Sequence, residues 1–445
     1  MDVPERPPSV KPQGLRIDEL LSREDIRAFA TRTHDAYVPW NKFRHKPIPS
    51  DVSVEAAWFI AKSSRLQSRR NLPLIDVHGH PCGYSVPRPV HETLHRIDRM
   101  SGNSIAIASG EQSSFGPIRD QLLVSSLMEE AIATSQIEGA ATTRAVAKEM
   151  LRSNRDPRDR GERMIVNSYQ TMRLLKTRLD EPLTLDLLLD LQKSMTEGTL
   201  EDDGASGRLR IASDDVVITS VDDGKILFTP PPASELKARL KQFLAFANDD
   251  AKGADFVHPL IKAAILHFWL AYLHPFVDGN GRTARALFHW FMLKNGYWLF
   301  EFLTVSRIIF SSRIRYYRAF LETEYDEGDL TYFILYNVDA TDKALRKLHE
   351  HIAEKLEEQR TIASSLSRFP DLNHRQRALL SHALRRAETV YTFQSHARSH
   401  DVTLLTSRSD LLILLRFGLL TEGRQGRERA FFAAPDLKTR LRPSR

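Results

Sequence analysis

Hydrophobic and polar positions along the 445-residue chain follow a helical period over most of its length. Between Gly116 and Leu345 apolar residues recur three and four apart, the spacing of helices with one buried face. One stretch inside this region breaks the period, DDVVITSVDDGKILFTPPP. Val216–Thr219 and Ile226–Phe228 are β-prone, Asp-Gly lies between them, and Pro230–Pro232 ends the run. That pattern predicts a β-hairpin, with Ser234 as N-cap of the helix that follows. Upstream, DVSVEAAWFIAKSSRLQSRR reads as helix, NLPLIDVHGHPCGYSVPRPV as strand and loop, and HETLHRIDRMSG as a short helix. Downstream, EHIAEKLEEQRTIASSL reads as a charged connector helix. From Leu372 the text reads helix, short helix, a third helix over Thr403–Leu415, and a hairpin, LLTEGRQGRERAFFA. The expected organisation is a Pro-rich disordered segment 1–14, an N-terminal region 15–115, a helical domain 116–345, a connector 346–370, a small domain 371–436 and a basic tail 437–445.

The composition, 42% hydrophobic and 27% charged, is that of a globular protein. Cys82 is the single cysteine, which excludes a disulfide scaffold and a Cys-based zinc site. MDVPERPPSVKPQG has no apolar h-region. The longest uncharged run, between Lys262 and Asp278, has 15 residues and two His, too short and polar for a bilayer. The expectation is a cytoplasmic protein without a membrane partner. The net charge of +6 is uneven: residues 371–445 carry 14 Lys+Arg against 7 Asp+Glu. That balance suits an anionic partner, and equally a solvated tail.

The densest chemistry lies in HPFVDGNGRTARAL, from His274 to Leu287, after an apolar helix. A helix N-terminus offers free N–H groups and the positive end of the macrodipole, and glycines let an anion approach. Gly279, Asn280 and Gly281 stand just before a helix expected to start near Arg282, so they form an anion cradle. Arg282 and Arg285, three apart, share a face and can clamp phosphate oxygens. Asp278 at the cradle's edge suits Mg²⁺ beside phosphates. His274 can take a proton from an attacking hydroxyl. Singly, each residue is more often structural; it is the combination that points to a nucleotide. Neither Gly-x-x-x-x-Gly-Lys nor Gly-x-Gly-x-x-Gly is present.

HPFVDGNGRTAR resembles the motif of the Fic (Fic/DOC) family, His-x-Phe-x-Asp/Glu-Gly-Asn-Gly-Arg-x-x-Arg, at every defined position. GRLR, the hairpin and FTPPP resemble that family's flap region, and the likeness spans roughly residues 116–310. The resemblance implies a mostly α fold: a Fic-type helical bundle with a β-hairpin flap. It implies transfer of AMP from ATP to a Ser, Thr or Tyr hydroxyl of a protein. His274 would be the base, Phe276 the loop's anchor, and Asp278 the Mg²⁺ ligand. Gly279, Asn280 and Gly281 would hold the α- and β-phosphates, Arg282 would contact the phosphates, and Arg285 the γ-phosphate. The flap, with Val217, Ile218, Thr219, Leu227 and Phe228, would dock the target by edge-strand pairing.

A second motif lies upstream in SSLMEEAIATSQIEGA. Glu138 is an anion at the negative end of a helix that Gly139 would cap, a locally unfavourable placement. TSQIEG resembles the Fic inhibitory motif, with Thr134, Glu138 and Gly139 in place. The implied mechanism is a Glu138–Arg285 salt bridge occupying the γ-phosphate site; the same Glu serves AMP removal in some relatives.

Residues 371–436 resemble a winged helix-turn-helix domain, with Arg398, Arg408, Arg424, Arg427 and Arg429 as candidate DNA contacts; many such modules bind protein instead. HGHPC offers His78, His80 and Cys82 at alternating positions, but without an evident fourth ligand it reads as a loop. Two alternatives stand beside the transferase: a DNA-binding regulator using the Fic core as nucleotide sensor, which salt-dependent DNA binding would reveal, and a de-AMPylase. A homodimer is the expectation from the family.

Overall fold

The computed structural model describes residues 3–9, 11–102, 116–219, 224–367, 369–385, 388–426 and 428–441. It is mostly helical, with three two-stranded antiparallel sheets among the described residues. The helices that matter below are α1 (Glu24–Ala36), α2 (Val54–Leu66), α3 (Arg88–Gly102), α4 (Gly116–Ile137), α5 (Arg144–Ser153), α6 (Arg160–Thr177), α7 (Leu185–Thr196), α8 (Leu236–Asn248), α9 (Pro259–Leu273), α10 (Asn280–Lys294), α11 (Val305–Ser311), α12 (Arg313–Tyr325) and α13 (Thr331–Ser367). After them come α14 (His374–Arg385), α15 (Phe393–His400) and α16 (Leu404–Arg416). The strands are β1 (Arg70–Ile75), β2 (Pro81–Tyr84), β3 (Ile218–Thr219), β4 (Ile226–Phe228), β5 (Leu420–Gln425) and β6 (Glu428–Ala433). The chain forms two compact units, residues 1–348 and 349–445.

In the first unit α9 and α10 are the central pair. α9 is apolar on every side, and a helix of that kind must be surrounded by protein. Trp269, Phe268 and Leu270 on α9, and Trp290, Leu287 and Met292 on α10, are buried. Helix starts are set by local caps: Thr143, Asp159 and Thr184 accept the N–H of Val146, Glu162 and Leu187. Ser234 does not act this way. Pro232 feeds a single 3-10 turn, Ala233–Glu235, so α8 starts at Leu236 with Glu235 at its uncapped N-cap position.

The N-terminal region packs α1 and α2 around Trp40, Phe43 and Trp58. Its attachment to the start of α13 is a buried polar network. Tyr37 donates to Asp329 (2.6 Å), Tyr332 donates to Asp326 (2.8 Å), and buried Arg65 donates to Tyr332 (2.8 Å). His78 and His80 lie exposed in the β1–β2 turn, and Cys82 is buried. No group of three His, Cys, Asp or Glu positioned for a metal occurs among the described residues.

The second unit holds α14, α15 and α16, then the hairpin β5–β6, in the expected order. Leu380, Leu411, Leu414 and Phe431 form its core. Buried Asp410 ties three segments together by accepting from Asn373 (2.7 Å) and Arg375 (2.7 Å) and contacting His396 (3.2 Å). No described helix is long and apolar enough to cross a membrane.

Candidate active site

The loop between α9 and α10 is built by local rules. His274 stands at the C-cap of α9 in the left-handed region, φ 45°, which few residues other than Gly adopt. That turn sends Phe276 into the core, where it is fully buried. Asn280 fixes the loop: its Oδ1 accepts from Phe276 N (3.0 Å) and its Nδ2 donates to Phe276 O (2.9 Å). Its side chain is thus committed to the loop, and only its backbone N–H faces an anion. Gly279, φ 83°, is required twice over, since a Cβ there would also lie 2.8 Å from Thr196 Cγ2. α10 begins at Asn280 rather than near Arg282, and no side chain caps it. The N–H groups of its first turn are the donors of an anion cradle.

A carboxylate already stands at this cradle. Glu138 lies so close to Gly281 that a Cβ on Gly281 would collide with it. Glu138 Oε1 accepts from Arg285 Nη2 at 2.8 Å. Arg285 is buried, and it also donates through Nε to Thr134 Oγ1 (2.8 Å) and through Nη2 to Thr134 O (3.1 Å). Thr134 O is one of the carbonyls that the end of α4 leaves without a helical donor. The guanidinium thus offsets the unfavourable position of Glu138 at a helix C-terminus. Burial is the largest influence and opposes the Arg285 charge, but the Glu138 carboxylate and Tyr316 together outweigh it, so the net shift of its pKa is upward. Arg285 Nη1 is buried without a hydrogen-bond partner and lies 3.1 Å from where a Gly281 Cβ would stand.

His274 Nδ1 lies 3.2 Å from Ala271 O, so Nδ1 carries the proton and the Nε2 lone pair is left free. Burial lowers the His274 pKa from the usual 6.5. Asp278 Oδ1 accepts from Gly279 N (2.5 Å), and Oδ2 pairs with Arg160 (3.2 Å) and Arg282 (3.4 Å). One carboxylate beside a phosphate cradle fits Mg²⁺, which takes one or two protein carboxylates and completes its shell with phosphate and water oxygens. Arg282 is fully buried; it donates to Met195 O (2.7 Å), and its Nε has no partner.

The two strands of the expected hairpin pair, with Ile218 opposite Phe228 and Thr219 opposite Ile226; Asp223 of the Asp-Gly turn lies outside the described residues. Val217 and Thr219 are exposed, and Ile218, Leu227 and Phe228 are half-buried. Phe228 packs on Tyr272, ring centroids 4.9 Å apart. In the second unit Arg398, Arg408, Arg424 and Arg429 are exposed, Arg429 being paired with Glu422; Arg427 lies outside the described residues.

Several residues at the site were given no role from sequence. Arg210 donates to His274 O (2.7 Å) and Pro231 O (2.5 Å), tying the flap's base to the histidine. Gln192 donates to Asp278 O (3.1 Å), and Tyr317 to Ile137 O (3.3 Å) at the end of α4. Arg210 belongs to GRLR, which marked the flap but carried no signal of its target.

Residues 182–292 match the family model described as Fic/DOC family. The chain carries a Fic/DOC-family domain. Curated relatives named "Protein adenylyltransferase Fic" include those of Drosophila mojavensis and Drosophila melanogaster. Each is 34% identical over 116 residues, 26% of this chain and 21% and 22% of the relatives. This chain therefore aligns with about a fifth of their length. The fold is similar to a Fic family protein from Desulfovibrio desulfuricans G20 (TM-score 0.53, 16% identity, 77% of this chain and 96% of that one). It is also similar to Fic-1 from C. elegans (TM-score 0.51, 19% identity, 76% and 88%). The Fic domain of this chain spans the loop, the cradle and the flap; Glu138 lies outside the matched residues.

Proposed function

We propose that this chain is a protein adenylyltransferase held off by its own Glu138. The observation that carries the reading is the Glu138 carboxylate at the α10 cradle, paired with Arg285 at 2.8 Å. A site that takes one carboxylate between a helix N-terminus and a guanidinium can take a phosphate in its place. With Glu138 displaced, the first-turn N–H groups of α10 and Arg282 bind ATP phosphates, and Arg285 clamps the γ-phosphate. The acceptor hydroxyl of a protein segment paired along the flap attacks the α-phosphorus. The new P–O bond forms as the bond to the bridging oxygen breaks, and pyrophosphate leaves with that electron pair. The hydroxyl proton passes to His274 Nε2. Asp278 would hold Mg²⁺, which when bound neutralises phosphate charge.

Labelled ATP tests this directly. Glu138→Gly is expected to raise label transfer, to self or to lysate protein, by about 10- to 100-fold, the range of a charge-assisted hydrogen bond lost from the inhibited state. Silence in Glu138→Gly protein that still binds ATP would sink the proposal.

The pH profile is a second test. His274 must be neutral to accept the proton, so activity is lost as pH falls through its pKa. Burial lowers that pKa below the usual 6.5, and removing Glu138, whose charge raises it, lowers it further. The acidic limb of kcat/KM for Glu138→Gly is therefore expected below pH 6.5. A limb at or above that value contradicts His274 as the base.

A further inference from the structure

The helix that leads into Glu138 carries two buried carboxyls of its own. Glu129 and Glu130 are neighbours on α4, and the fold treats them differently. Glu129 is ion-paired with Arg144 and Lys148 of α5. Glu130 is 4% exposed, and among the described residues no Lys, Arg or His forms an ion pair with it. Its partner is Ser306, second residue of α11. Ser306 N donates to Glu130 Oε2 at 3.0 Å, and the Ser306 hydroxyl donates to Oε1. Thr304, the N-cap of α11, makes no side-chain cap, so Glu130 takes an N–H that α11 cannot satisfy itself. Burial pushes the Glu130 carboxyl up to about 7, with Arg285 the cation that opposes the rise. Such a group is costly to bury, and its hydrogen bonds to Ser306 set the position of the backbone that carries it.

Glu130, Thr134 and Glu138 follow one another at i+4 steps, and each is fastened to the body of the domain. Thr134 and Glu138 are held by Arg285 on α10, and Glu130 is held by α11. The two ends of this stripe are eight residues apart, ~12 Å along the helix. We infer that Glu130 and Ser306 are a positioning pair that fixes the placement of α4 and thereby holds Glu138 on Arg285. Glu130 touches neither the cradle nor His274 in any hydrogen bond of the structure; it acts through Glu138. The inference rests on the reading of Glu138 as the brake.

Five full-length variants test it with labelled ATP: Glu138→Gly, Glu130→Ala, Glu130→Gln, Ser306→Ala, and Glu130→Ala combined with Glu138→Gly. Glu130→Ala leaves Ser306 N unsatisfied and is expected to raise basal transfer about tenfold. Glu130→Gln keeps an oxygen for Ser306 N and is expected to stay near wild type, a rescue that a bulk packing effect of lost charge would not give. In the Glu138→Gly protein, Glu130→Ala is expected to add nothing, because the two act on one equilibrium. Ser306→Ala removes a single hydroxyl and is expected to raise transfer about threefold; it keeps the test decisive if Glu130→Ala fails to fold. The inference is overturned if Glu138→Gly raises transfer and neither Glu130→Ala nor Ser306→Ala does. It is equally overturned if Glu130→Ala lowers the rate of the Glu138→Gly protein, which would make Glu130 a support of the active site. No rise in Glu138→Gly itself removes the brake reading, and the positioning role with it.

Discussion

Replacing His274 with alanine in the Glu138→Gly protein lowers AMP transfer by about 10²- to 10⁴-fold, the usual contribution of a positioned general base. The released background matters, because in wild type the brake would hide the loss. Three features support His274 as the proposed base. Its Nδ1 is committed to Ala271 O at 3.2 Å, so the free lone pair is on Nε2. Burial keeps the ring neutral at physiological pH, the form able to accept a proton. The other acidic or basic side chain of the loop, Asp278, is engaged by Arg160 and Arg282 and stands where Mg²⁺ would be held. The left-handed backbone at φ 45° aims the histidine, and Arg210 secures its carbonyl. ATP affinity is expected to stay within a few-fold of Glu138→Gly, measured by titration with a non-hydrolysable analogue, since His274 binds no phosphate in this reading. A loss of transfer below about tenfold would move the base elsewhere.

Arg285→Ala, unlike Glu138→Gly, is not expected to release the transfer activity. It removes the anchor of Glu138, yet transfer is expected to remain at or below the wild-type level. In the Glu138→Gly background it is expected to lower kcat/KM by about 10²-fold, the loss of charge-assisted bonds to a phosphate in a buried site. In the proposed mechanism one guanidinium serves two anions in turn. Its Nη2 holds Glu138, while its buried Nη1 has no partner and faces the cradle beside Gly281. Lysine offers a single point charge in place of the fork and is not expected to restore activity. If Arg285→Ala were as active as Glu138→Gly, the brake would act by some route other than occupying the phosphate clamp.

The sequence alone determined what lies within one or two turns of chain. The loop's stop after α9, the glycine with φ 83°, the first turn of α10 and its two arginines are contiguous, and their backbone requirements are those of single residues. The hairpin was legible because Asp-Gly and the β-prone runs are local, and the order of elements in residues 374–433 because leucine periodicity is local too. Ser234 failed as a cap because three prolines ahead of it impose their own geometry, which a 3-10 turn accommodates. What only the tertiary structure decided are contacts between distant positions. Arg160 meets Asp278 across 118 residues and Ser306 meets Glu130 across 176, whereas the Arg285–Glu138 pair, 147 residues apart, was implied beforehand by the family resemblance and not by periodicity. Periodicity tells which face of a helix is buried, but not which polar group on the neighbouring helix will be opposite it. The same holds for the lowered pKa of His274, which depends on the desolvation that packing imposes and on the charges it brings near.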